Sequence, residues 1–271
     1  MQGLINFLSK RIAVYLHFKN IKIDLRFFIN LAYNGSAYHG WQIQPNATSV
    51  QQILEDKLQI ALQETISVVG AGRTDAGVHA KQLYAHFDTE QTLNLQEFAF
   101  KVNKLLPKDI AVNAVEKVQP NAHARFDASA RTYKYFINTA KNPFTTDFAY
   151  YKKNLLDVAA MNQAAKILLD YKDFKCFSKS RTDVKTYNCS IQFAQWEKQD
   201  TQLVFCIKAD RFLRNMVRAI VGTLLQVGEK KISPTDMHTI IKSRDRGKAG
   251  TSVAAKGLFL WEIEYPKTIF S

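Results

Sequence analysis

The segment Ala71-Gly-Arg-Thr-Asp-Ala-Gly-Val-His-Ala80 is the densest cluster of reactive residue types in the chain. Gly70 and Gly72 invite a dinucleotide fingerprint, but Asp75 stands where that motif needs its third glycine, and a carboxylate there repels a pyrophosphate. No Gly-Lys-Ser/Thr sequence occurs, which excludes a Walker-type phosphate loop. As plain architecture the segment is a turn, with Asp75 as its cap and Gly77 supplying a positive φ. As chemistry, an extended backbone would point Arg73 and Asp75 to the same side, because strand side chains repeat every two residues. A guanidinium beside a carboxylate favours the charged form and fixes its orientation. That suits a nucleophile better than a general acid, which must hold its proton.

Two further groups could surround such a carboxylate. Read as a helix from about Arg211 to Val227, the stretch beginning Asp210-Arg-Phe-Leu-Arg-Asn-Met-Val-Arg218 sets Arg211, Arg214 and Arg218 at i, i+3 and i+7. A solvated charged face usually brings acidic partners at i+4; this one brings none, which predicts a face turned to an anion. Arg131-Thr-Tyr-Lys-Tyr-Phe136 reads as a strand with Tyr133 and Tyr135 on one side and Lys134 on the other. Aromatic side chains on a sheet either stack on unpaired bases or fill the core. Lys242, Arg244, Arg246 and Lys248 form another basic run, either a phosphate-contacting loop or a solvated tail. Cys176, Cys189 and Cys206 fit no zinc spacing, and the six histidines form no i, i+4 pair, so no metal site is expected.

The elements that must position these groups follow from periodicity. Leu25, Phe27, Ile29 and Leu31 alternate as a strand. Ser49 and Gln52 form a capping box before a helical stripe of Val50, Ile53, Leu54, Leu58 and Ala61. Residues 66–71 and 83–88 read as strands, 95–105 as a helix stopped by Pro107, and Ile110, Val112 and Ala114 as a strand. After Pro120 the order returns: a strand at Tyr133–Ile137, a helix over 157–170, a hairpin of 191–197 with 203–209, and the Arg211 helix. A shorter helix from Ser233 and a strand over 258–264 complete it. The fold class is therefore α/β (α+β), with two ferredoxin-like, RRM-like β-α-β-β-α-β halves. The expected units are residues 24–119 and 120–267. Residues 1–23 form an N-terminal extension of unknown role, in which Leu4, Leu8, Ile12 and Tyr15 could make one helical stripe. Helices on one face of each sheet would leave the other face open to a partner.

Composition narrows the partner. The chain has 271 residues, 46% of them hydrophobic, which is too apolar for a disordered protein. It carries 37 basic against 24 acidic residues, a formal charge of +13, which points to a polyanion such as nucleic acid. No stretch reaches the length of a membrane helix, and the unpaired cysteine number fits a reducing cytoplasm.

Six blocks occur in order: AYNGSAYHGWQIQP (32–45), SVQQILEDKL (49–58), AGRTDAGVHA (71–80), HARFDASARTYKYFI (123–137), FLRNMVRAIVG (212–222) and KGLFLWEIEYP (256–266). Together they resemble the TruA family of tRNA pseudouridine synthases, from about Leu25 to Pro266. The resemblance implies a pseudouridine synthase fold with a central basic cleft, working as a homodimer without cofactor or metal. It implies isomerisation of uridine to pseudouridine at positions 38, 39 and 40 in the anticodon stem-loop of tRNA. It matches Asp75 to the catalytic aspartate, Arg73 to the arginine paired with it, Tyr133 to a tyrosine stacking on the target uracil, and Arg218 to an arginine holding the carboxylate. Two rivals stand beside this reading: a non-catalytic RNA-binding protein with ferredoxin-like halves, and an aspartate-dependent nucleoside glycosidase.

Overall fold

The computed structural model describes residues 25–153, 155–180 and 184–271; the stripe expected at Leu4–Tyr15 lies outside them. The first half runs β1 (Leu25–Tyr33), α1 (Val50–Leu62), β2 (Val69–Gly70), β3 (His79–Thr89), α2 (Leu95–Leu105) and β4 (Ile110–Lys117). The second runs β5 (Ala130–Asn138), β6 (Tyr150–Tyr151), α3 (Val158–Ile167), β7 (Ile191–Gln199), β8 (Gln202–Ala209), α4 (Met216–Gly228), α5 (Asp236–Ser243) and β9 (Leu258–Glu264). Side-chain caps start the first helices: Ser49, as expected, accepts from the Gln52 amide, and Asn94 accepts from that of Glu97.

All nine strands join one sheet, in the order β4-β1-β3-β9-β5-β8-β7, with β2 on β3 and β6 on β5. The ferredoxin-like order therefore appears twice. In the first half β1 lies antiparallel between β4 and β3, and β2 pairs with β3. In the second, β5 lies antiparallel between β9 and β8, and β7 pairs with β8. The halves meet where β3 and β9 pair in parallel, His79 with Phe259 and Ala80 with Leu260.

Two apolar clusters hold these halves. Phe27 and Phe87 stack at 5.6 Å beneath Phe98 of α2, while Tyr135, Phe205 and Ile207 are buried in the cluster that includes α4. Each such side chain contributes roughly 1.5–3 kcal/mol on burial. The opposite face of the first half is not open, contrary to expectation. Phe28 meets Tyr265 at 5.2 Å and Phe270 at 6.2 Å, so the segment after β9 folds back across it. A strand with Phe27, Phe28 and Ile29 in succession is apolar on both faces and needs both covered.

Several boundaries differ from the sequence reading, and β3 begins at His79 rather than at residue 83. The strand expected over 66–71 is regular only at Val69–Gly70, although Ile66 and Val68 are buried. The helix expected from Arg211 begins at Met216, because Asn215 sits at φ 66° and breaks the helical path. The last helix begins at Asp236; Ser233 and Pro234 belong to the turn before it, where the Asp236 carboxylate accepts from the Ser233 amide at 2.7 Å.

Candidate active site

Residues 71–78 leave β2 and cross to the β3–β9 junction without regular structure. Their backbone groups need partners, and a strap formed by residues 34–41 supplies two of them. The Trp41 amide donates to the Thr74 carbonyl at 3.3 Å, and the Gly77 amide to the Tyr38 carbonyl at 3.2 Å. Gly40 has φ +89°, and a Cβ there would stand 2.3 Å from the Thr74 oxygen, so the contact requires glycine. The loop closes in a turn, with the Val78 amide donating to the Asp75 carbonyl at 3.1 Å and Gly77 at φ +75°. Gly77 thus plays its expected part in the turn. The Asp75 side chain does not: among the described residues its hydrogen bond runs to Arg218.

Thr74 is drawn inward by a 2.8 Å hydrogen bond between its hydroxyl and that of Tyr33. Its neighbours are turned out: Arg73 is exposed, and the Asp75 side chain is 24% exposed. Arg73 makes no ion pair with Asp75, contrary to the side-by-side placement expected of an extended backbone, because residues 73–75 are not a strand. The guanidiniums that do reach the carboxylate come from the other half. Arg218 Nη1 lies 3.4 Å from Oδ2, and Arg214 Nε lies 3.8 Å from Oδ1.

Arg218 sits in the first turn of α4 and is pinned by donating from Nε to the Val253 carbonyl at 2.8 Å. A chain of contacts fixes that carbonyl. Arg246 Nη2 and Asn215 Nδ2 both donate to the Ser252 hydroxyl, and a Cβ on Gly222 of α4 would fall 1.8 Å from the Thr251 oxygen. Arg246 of the basic run is therefore turned into the fold, and Arg244 pairs with Asp173 at 3.1 Å. Arg214 lies in the non-helical stretch before α4 and is more than half exposed, so it is the looser partner of Asp75.

Tyr133 touches both apolar clusters and meets Phe212 edge-on at 5.1 Å. Burial pushes its hydroxyl pKa up to about 12, with Arg131 opposing the shift and the Asp75 charge adding to it. The ring is thus protonated at neutral pH, half-buried and within electrostatic reach of the carboxylate. Tyr135 belongs to the core. The structure brings Asp75, Arg218 and Tyr133 together and leaves Arg73 at the rim. Sequence spacing missed Arg214 as a direct partner and Tyr33 as the anchor of Thr74; these contacts span 139 residues and 41, respectively. Among the described residues no cluster of three or more His, Cys, Asp or Glu side chains could hold a metal ion.

The sequence pattern of the family described as tRNA pseudouridine synthase matches residues 30–127 and 164–266. The chain belongs to that family. It is 55% identical over 249 residues to tRNA pseudouridine synthase A of Bacteroides thetaiotaomicron, covering 91% of this chain and 93% of that protein. The corresponding protein of Parabacteroides distasonis is 53% identical over 246 residues, covering 90% and 98%. That of Bacillus subtilis is 37% identical over 245 residues, covering 89% and 99%. Asp75, Arg73 and Arg218 all fall within the stretches matched to the pseudouridine synthase family; Tyr133 lies between them. Among the described residues no helix is long and apolar enough to cross a membrane.

Proposed function

We propose that this chain isomerises uridine to pseudouridine at positions 38, 39 and 40 in the anticodon stem-loop of tRNA, with Asp75 initiating cleavage of the glycosidic bond. The observation that carries the reading is a partly exposed carboxylate held by Arg218 and Arg214 beside the half-buried ring of Tyr133, in a chain of this family. The reaction detaches uracil at N1, turns it and rejoins the ribose to C5; N1 ends with a proton and C5 loses one. Asp75 acts on the sugar or the base in the first step. Tyr133 keeps the detached ring in the pocket by stacking. Arg218 holds the carboxylate in place, and Arg73, exposed at the rim, contacts the RNA.

Unstacking the target base costs a few kcal/mol. Phosphate contacts from the basic surface offset that cost and set the register of the stem-loop. The enzyme works as a cytoplasmic homodimer, with residues 24–119 bringing the aspartate loop and 120–267 the tyrosine and the arginines. A plain RNA binder has no use for a carboxylate between two arginines. A glycosidase wants a second carboxylate as acid, whereas the charged side chains that pair with Asp75 are arginines.

The test is incubation with an unmodified tRNA transcript. The expected result is pseudouridine at positions 38–40 with the mass of the RNA unchanged. Release of free uracil would favour the glycosidase, and binding without product would favour the RNA-binding protein.

A further inference from the structure

Arg131 lies two residues before Tyr133 on β5, on the same face of the strand. Its guanidinium is directed at four backbone carbonyls. Nη2 donates to Ala71, where the Asp75 loop begins, at 3.3 Å, and to Arg125 at 2.5 Å. Nη1 donates to Ala128 at 2.9 Å and to Asp210 at 2.7 Å. Arg125 and Ala128 belong to the turn before β5. Asp210 heads the non-helical stretch that carries Phe212 and Arg214, and its own carboxylate caps that stretch by accepting from the amides of Ser190 and Arg211, both at 2.7 Å. Among the described residues Arg131 makes no ion pair, so its bonds are spent on these carbonyls alone. A planar fork of five donors suits that task; a lysine ammonium, a single point with three donors, cannot span it.

We infer that Arg131 is a positioning residue of the isomerisation, holding the aspartate loop, the 125–128 turn and the Arg214 stretch in fixed relation around Tyr133. This rests on the reading of Asp75 and Tyr133 as the reacting centre. The segments it ties come from both halves, and each bears on the site: Ala71 leads to Asp75, Asp210 to Phe212 and Arg214. Loss of the fork lets Asp75 move relative to Tyr133 without removing any group that touches the RNA. A displacement near 1 Å at a reacting centre costs about 100-fold in rate.

The experiment compares Arg131→Lys and Arg131→Gln with Asn103→Ala by thermal melt, tRNA binding titration and single-turnover rate. Asn103 makes two comparable backbone hydrogen bonds, to Val112 on β4, which lies at the end of the strand order with β1 between it and β3. The expected result is tRNA affinity within about threefold of the parent and a rate down about 100-fold for Arg131→Gln, with Arg131→Lys between the two. Asn103→Ala lowers the melting temperature and leaves the rate within about twofold. A folded Arg131→Gln protein with a near-parent rate would overturn the proposal, as would a loss explained wholly by affinity. Failure of both Arg131 variants to fold would also overturn it, making Arg131 a folding residue. Asp75→Asn, assayed alongside, separates the two readings: if it stays active the reacting centre itself is wrong, and if it alone is inactive only the role of Arg131 falls.

Discussion

In the second half β7 and β8 pair from Ile191 with Ala209 down to Gln199 with Gln202, and turn through Asp200 at φ 51°. The hairpin in the same place in the first half is open. There β2 pairs with β3 only at Val69–His86 and Gly70–Ala85, and the first residues of β3 pair instead with β9. Beyond Ala71, whose amide still donates to the Tyr84 carbonyl, residues 72–78 lose a neighbouring strand, and the 34–41 strap partners the Thr74 carbonyl and the Gly77 amide. A tight turn presents its tip to water. An opened one lies at the seam between the halves, where Arg218 and Tyr133 reach it from the other side. The same topology thus yields a plain connection in one half and a reactive loop in the other, and the difference is where β9 docks.

The strongest way to break this comparison is Asp75→Asn, which keeps the shape of the loop and removes the charge. Turnover should fall by at least about four orders of magnitude, roughly 5.5 kcal/mol, with folding and tRNA binding retained. A single-turnover assay and a melt on the same protein decide it; a wild-type rate would return the loop to being an ordinary turn. Next comes the pair of arginines brought by the second half. Arg218→Ala should cost about 100-fold in rate, since that guanidinium is pinned to Val253 as well as to Asp75. Arg214→Ala, removing the more exposed partner at 3.8 Å, should cost under about tenfold. Equal effects would show that the pinning does not matter.

The two connections themselves can be tested by backbone chemistry. Gly40→Ala places a Cβ against the Thr74 oxygen at positive φ and should destabilise by about 2 kcal/mol or more, with turnover falling too. Asp200→Gly in the plain hairpin should change stability by no more than about 0.5 kcal/mol and leave the rate alone. Urea melts of both variants check this.

The halves should also differ in acid sensitivity, which should reside in the first. Burial lowers the His79 pKa, and it lowers that of His86 to about 4, with Arg26 and His123 adding to the latter shift. Unfolded histidine takes its proton near pH 6.5, so between about 6.5 and 4 the unfolded chain binds more protons. Stability therefore falls as pH falls through that window. Melting temperatures measured at about pH 7 and 5 should differ, and His86→Gln should flatten the slope. Asp88, held below its usual value by Arg26, adds its own loss only at lower pH.

Period and punctuation carried most of the fold. Alternation in β1 and β5, the caps at Ser49 and Asn94 and the stop at Pro107 are local signals, and local signals are written in sequence. The start of α4 was misread because one residue, Asn215, adopts a left-handed conformation that its apolar neighbours do not announce. That removed the basic helical face, yet Arg214 and Arg218 still reach Asp75, one from an irregular stretch and one from the helix. Spacing alone set Arg73 beside Asp75, whereas the family resemblance already matched Arg218 to an arginine holding that carboxylate; spacing cannot find such a partner, because only folding brings residue 218 to residue 75. Arg131 escaped notice because its bonds go to carbonyls, which every residue has.

The parallel pairing of β3 with β9 also sets an order of events during synthesis. Roughly 180 residues separate Asp75 from Phe259, so at about 5–20 residues per second the ribosome takes roughly 10–40 s to pass from one to the other. For that interval the start of β3 is a bare strand edge, and the apolar cluster of the first half lacks Leu260, Ile263 and Ile269. Bare edges recruit wrong partners. The nascent first half is therefore a stage at which this protein is exposed to misassembly, and the Asp75 loop takes its final form only when β9 arrives.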